Sequence, residues 1–260
     1  MLPEYTPLFW IAAITAVLIL GVAKAGFGGG IGFIATPLIA LTISVADAAA
    51  LLLPLLIIID LLSIRHYRGS YDKPSLKLLL PSAIVGIILG ALLFNGLRDN
   101  DVLLRRALGL FAVLFVIYQV GRSALLGALE GHRPGRPVGV FLGVLSGFGS
   151  TLAHAGGPPA TMYLLPQKLP RQLFAGTTVW FFTAVNLIKL VPYGALGLLR
   201  MGNLVTILLL APVAFIGVRL GIYLNRNFDE LWFSRVIYLF LFLTGLQLLT
   251  GGALTRMIFG

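Results

Sequence analysis

The stretch VADAAALLLPLLIIIDLLSI, residues 45–64, sets the terms for the whole chain. It holds two carboxylates, one serine and one proline, and is otherwise apolar. LGLFAVLFVIYQV, residues 108–120, is of the same kind. Lipid gives backbone amides no partners, so segments that cross a bilayer are helices or closed barrels. Barrel strands alternate lipid-facing and lumen-facing residues over about ten positions. These stretches do not alternate, so they are read as helices. Similar segments occur at about 8–24, 30–44, 46–64, 76–96, 103–121, 138–152, 156–166, 173–190, 204–224 and 236–254. The fold class expected is an all-α polytopic membrane protein.

Composition agrees. Hydrophobic residues make up 58% of the chain and charged residues only 11%, where a soluble domain carries about 25%. The net charge of +10 would suggest nucleic acid on a soluble protein. Here the basic residues fall mostly in short connections, which suits topology signals and anionic lipid; no nucleic-acid partner is expected. There is no cysteine, and the three histidines (66, 132 and 154) have no metal-ligand spacing. No metal, cofactor or catalytic residue is expected, so an enzyme is disfavoured. The acidic residue in MLPEYTPLFW argues against a cleaved signal.

Comparing the chain with itself exposes an internal repeat. GFG occurs at 26–28 and again at 147–149, an offset of 121 that also carries Pro37 onto Pro158. PSAIVGIILG at 81–90 and PVAFIGVRLG at 212–221 share P-x4-G-x3-G. Between them, at offset 126, Asp60 falls on Asn186 and Tyr67 on Tyr193. The reading is a first membrane repeat at 1–122, a basic cytoplasmic linker at 123–137 and a second repeat at 138–260. Five apolar segments in each half invert the second relative to the first. With both termini outside, twelve Lys and Arg lie on the linker side and six on the other.

The glycine-rich stretch AKAGFGGGIGFIATP has none of the spacing of a nucleotide loop, because Gly28 and Gly30 are followed by Phe33. Close helix packing is one explanation for its glycines. The other is a broken helix. The short segments 30–44 and 156–166 are expected to re-enter the membrane or to be broken at the glycine motifs. Paired discontinuous helices in inverted halves point to a transporter's midplane site. Helix ends and freed N–H groups would attract a small anion. Gly28, Gly29 and Gly30 would offer backbone donors. In the second half Ser150 and Thr151 replace Gly29 and Gly30 and add hydroxyls, and His154 falls where the first half has Phe33.

GFGGGIGFIATPL followed by ADAAALLLPL, and GFGSTLAHAGGPPATMYLL followed by AGTTVWFFTAVNLIK, resemble the TauE/SafE sulfite exporter family, also called the toluene sulfonate uptake permeases. The resemblance covers nearly the whole chain. It implies a multi-pass secondary transporter of the bacterial inner membrane that exports sulfite or a small organosulfonate. Its partners would be that anion and the lipid bilayer; no oligomeric state is implied. An anion channel, or a permease for another small anion, is the alternative.

Ionisable groups inside apolar segments are the remaining candidates. Lys24, beside the first glycine cluster, either snorkels to the surface or supplies charge to the anion; at offset 121 its counterpart is Leu145. Asp60 either pairs with Arg65 or Arg68 or carries a proton. His154 either packs or titrates. Arg219 faces either the pathway or the inner surface. Lys189 and Arg171 are read as interface residues, and Asp47 as a helix-start charge.

Overall fold

The computed structural model describes residues 5–27, 32–97, 100–128, 134–199, 203–227 and 230–251. Ten α-helices are described, matching the ten apolar segments: α1 (Pro7–Phe27), α2 (Ala35–Ala40), α3 (Val45–Ile64), α4 (Lys73–Leu97), α5 (Asp101–Ala128), α6 (Arg136–Ala153), α7 (Gly157–Leu164), α8 (Arg171–Ala195), α9 (Asn203–Asn227) and α10 (Glu230–Leu249). No strand occurs among the described residues. Five helices, α1, α3, α4, α8 and α9, are long and apolar enough to cross a membrane. The short segments contain still shorter helices: α2 has six residues and α7 eight. At 1.5 Å per residue they measure about 9 and 12 Å, well short of the hydrocarbon thickness of about 30 Å. Helix α5 continues to Ala128, so the first six residues of the basic linker are helical.

Local chemistry sets several helix ends. Ser44 caps α3, its hydroxyl oxygen accepting the Asp47 N–H at 3.0 Å. Prolines lie inside α3, α4, α8 and α9, at 54, 81, 192 and 212. Such interior prolines are tolerated in membrane helices because neighbours satisfy the freed carbonyls. Helix α6 ends at His154, whose left-handed backbone (φ 55°) turns the chain, so that Ala155 N–H reaches Gly149 O at 3.0 Å.

Apolar side chains divide into two cores. One joins α1, α2 and α3 to parts of α5, α9 and α10. The other joins α4, α6, α7 and α8. Ala49, Leu53 and Tyr193 form a small third cluster where α3 meets α8. Large apolar residues remain exposed on α4, α5, α9 and α10, Leu92, Ile117, Leu208 and Leu239 among them. In a polytopic protein that belt is the lipid-facing surface.

Three helix pairs approach closely enough for backbones to touch. A Cβ on Gly86 of α4 would lie 2.0 Å from the Val144 carbonyl oxygen of α6. On Gly21 of α1 it would lie 2.9 Å from Gly217 of α9, and on Gly109 of α5 2.5 Å from the Gly245 oxygen of α10. This is small-residue packing of the membrane type.

Arg105 secures α2. Its Nη1 donates to Ala40 O, its Nη2 to Ile43 O at 2.7 Å, and its Nε to Asp101 at 2.5 Å. The other Asp101 oxygen accepts Val45 N–H at 3.0 Å. The guanidinium thus closes the carbonyl end of a helix too short to hold itself. Its side chain is 29% exposed, so water would replace part of what is lost on truncation. Arg105→Gln is expected to destabilise the protein by about 1–2 kcal/mol, read as a lowered Tm in detergent. A Tm equal to the parent's would refute the clamp.

Candidate functional site

A buried ammonium must find a carboxylate or an anion, because an isolated charge in low dielectric is costly. Lys24, in the last turn of α1, is only 8% exposed. It does not snorkel. It pairs with Asp60 of α3, which is 1% exposed, and its Nζ also lies 5.7 Å from the centre of the Phe182 ring. Asp60 therefore takes Lys24 as its ion-pair partner and not Arg65 or Arg68. Its second oxygen accepts the Asn186 Nδ2 amide of α8 at 2.6 Å. Residues 60 and 186, which lie 126 apart in sequence, are hydrogen-bonded in space.

Lys189, one turn further along α8, is 0% exposed. It is not an interface residue, as its position toward the end of an apolar segment had suggested. Its Nζ donates to Ser150 O at 3.0 Å and contacts His154 Nδ1 at 2.8 Å. No carboxylate pairs with it among the described residues. The other imidazole nitrogen, Nε2, lies 2.9 Å from Ala49 O. A carbonyl can only accept, so the proton is assigned to Nε2, and Nδ1 accepts from the lysine. His154 is thus a neutral ring fixed between α3 and α8. Below it, Tyr193 Oη donates to Thr151 O at 2.7 Å.

These groups surround a cavity of about 20 Å³, room for roughly one water. Lys24, Ser150, His154, Gly157, Phe182 and Asn186 line it, with Leu20 and Leu56 closing its apolar side. Any ligand larger than a water would require the walls to separate. The cavity lies beside the break between α6 and α7. The N-terminus of α7 offers few donors, because Pro158 and Pro159 have no N–H and Ala160 N–H is spent on Gly156 O. Gly157 N–H is what remains of that first turn.

The residues expected from sequence divide accordingly. Lys24, Asp60, Ser150 and His154 converge. Thr151 does not face the cavity: its Cβ packs against Gly90 of α4, and its hydroxyl donates to Gly147 O at 2.9 Å within its own helix. Arg219 is exposed and stacks on Phe215 at 5.2 Å. Gly28, Gly29 and Gly30 lie outside the described residues. Asn186 and Lys189 belong to the cluster although neither was a site candidate. The signal for them was present: Asn186, Lys189 and Tyr193 fall at i, i+3 and i+7, a polar stripe along an apolar helix.

The cluster thus brings two buried lysines to one carboxylate, with neutral donors around them, inside a helical bundle with a lipid-facing exterior. That arrangement can hold an anion. No group of His, Asp or Glu suited to a metal occurs among the described residues. A family model described as Sulfite exporter TauE/SafE matches residues 13–248 of the chain. No curated protein and no solved structure matches it.

Proposed function

Because the chain belongs to the TauE/SafE sulfite exporter family, a family of membrane transporters, we propose that it exports a small sulfur oxyanion, sulfite or a small organosulfonate, across the bacterial inner membrane by alternating access. The observation that carries this reading is two buried lysines beside the α6–α7 break, of which Lys24 alone is paired with a carboxylate. An uncompensated cation in a bundle interior is expensive, and an anionic substrate removes the expense. Lys24, Ser150 and Asn186 would meet the anion, with the neutral His154 ring forming part of the wall; Asp60 would hold Lys24 in place when the site is empty. Each negative charge leaving a cell that is negative inside gains about 2.3 kcal/mol per 100 mV, so export can proceed without a coupled ion.

An inverted repeat supports alternating access in this reading. Helix α1 packs on α9 and α6 on α4, while α3 meets α8 and α5 meets α10. Relating α1 to α6 and α4 to α9 exchanges the first two pairs and returns the last two to themselves. The helix ends suggest the register. Tyr193 Oη reaches Thr151 O, and Tyr67 Oη lies 3.5 Å from Ala25 O, the same pairing at an offset of 126. In that register Lys24 corresponds to Ser150, not to Leu145. One half would then supply Lys24 and Asp60, and the other Ser150 and Asn186.

The test is flux of labelled sulfite and of methanesulfonate from liposomes holding the purified protein. Saturable efflux that quickens with unlabelled anion on the far side is the expected result. Linear, unstimulated flux would make it a channel. No flux of either anion above protein-free liposomes would refute the reading.

A further inference from the structure

We infer that the site selects by charge state, accepting a singly charged sulfur oxyanion such as an alkanesulfonate or hydrogensulfite and rejecting dianions such as sulfate and fully ionised sulfite. This rests on the transport reading above and narrows its substrate class.

The ionisable groups around this buried cavity nearly cancel. Four elements packed around the cavity contribute ionisable side chains. Helix α1 gives Lys24, α3 gives Asp60, the α6 end gives His154 and α8 gives Lys189. Tyr193 also faces this region, with its hydroxyl committed to Thr151 O. Lys24 and Asp60 cancel. His154 is neutral, because one nitrogen faces a carbonyl and the other a lysine. Lys189 alone is left over among the described residues, and an anion in the cavity favours its ammonium form. It does not line the cavity but stands directly behind two groups that do, 3.0 Å from Ser150 O and 2.8 Å from the His154 ring. At low dielectric its charge is felt across that distance.

One negative charge in the cavity brings the compartment to neutrality. A second leaves an uncompensated anion in a buried, mostly apolar setting, and the penalty of an unpaired buried charge returns with the opposite sign. The neutral donors, Ser150, Asn186 and the Gly157 N–H, can bind oxygens of either species and do not discriminate. Lys189 therefore acts as a positioning charge that sets the valence of the ligand.

The experiment measures binding of methanesulfonate and sulfate to the purified protein at equal ionic strength, by calorimetry and by Tm shift. Methanesulfonate is expected to bind at least ten-fold more tightly than sulfate. Asp60→Asn adds one positive charge, and the preference is expected to move toward sulfate by ten-fold or more. Lys189→Gln should weaken methanesulfonate at least ten-fold, with recovery in Lys189→Arg, a pattern that loss of packing alone would not give. A pH series on the unaltered protein keeps the test independent of variant folding. Sulfite affinity should fall as pH rises through its second ionisation, near neutrality, while methanesulfonate affinity stays level. Equal affinity for methanesulfonate and sulfate, or parallel pH curves for sulfite and methanesulfonate, would overturn the charge rule and leave the transport reading standing. Failure of every one of these anions to bind would overturn both.

Discussion

Asp60→Ala is expected to abolish transport and to cost about 3–5 kcal/mol of stability, the usual consequence of stranding one member of a buried ion pair. Lys24 would keep its ammonium in the interior with only Phe182 beside it, and Asn186 would lose its acceptor. The double variant Lys24→Met with Asp60→Leu separates the two effects. It removes both charges and fills the space with apolar side chains of similar volume, so its stability should return close to the parent's. Transport should not return, because the cation that lines the cavity is gone. Unfolding in detergent and flux in liposomes together read the cycle. A stable Asp60→Ala protein, or a double variant that still transports, would show that this pair has no part in the site.

Gly147→Val is expected to yield no folded protein, the largest structural effect of any single change at this interface. A Cβ at 147 would lie 2.0 Å from the Ala83 carbonyl oxygen, and the obstacle is backbone that cannot rotate away. Gly86 faces the same seam from α4, so neither helix has slack. Gly147→Ala should already cost about 3 kcal/mol, at the upper end of overpacking effects. Gly96→Ala is the control, since nothing lies within 4 Å of its added carbon. It should be neutral or stabilising by up to about 1 kcal/mol. Size-exclusion chromatography and thermal unfolding report both. A monodisperse Gly147→Val protein with the parent's Tm would mean that α4 and α6 do not touch there.

The helices could be read from sequence because lipid allows little else: ten apolar segments become ten described helices, and both segments judged too short to span contain short ones. Lys24 and Asp60 could be found because an ionisable residue inside an apolar run is conspicuous. Their union could not, since nothing local says that position 24 meets position 60. Lys189 was misplaced for a definable reason. The apolar run was taken to stop at 190, which put the lysine at a membrane boundary, whereas α8 continues through Pro192 to Ala195. Thr151 was misjudged because a hydroxyl inside a helix has a competing acceptor four residues back, and here it takes it. The sequence matches fall at offsets of 121, 126 and 131, set by glycines and prolines, by Asp60 and Tyr67, and by P-x4-G-x3-G. The helix ends, where α1 stops at Phe27 and α6 at Ala153, are separated by 126.

The glycine seams also fix the kinematics of the molecule. Where α1 meets α9, α4 meets α6 and α5 meets α10, backbone lies on backbone, and sliding would force carbonyl oxygens past one another. Such seams resist sliding within each pair. The meeting of α3 and α8 is different in kind: it is made of side chains, an aspartate with an asparagine at its polar end and a tyrosine among alanine and leucine at the other. Side chains can change rotamer while their helices shift. Under the transport reading proposed above, a separation of the cavity walls would fall between α3 and α8, through the polar cluster itself, with helices from both halves of the chain on either side.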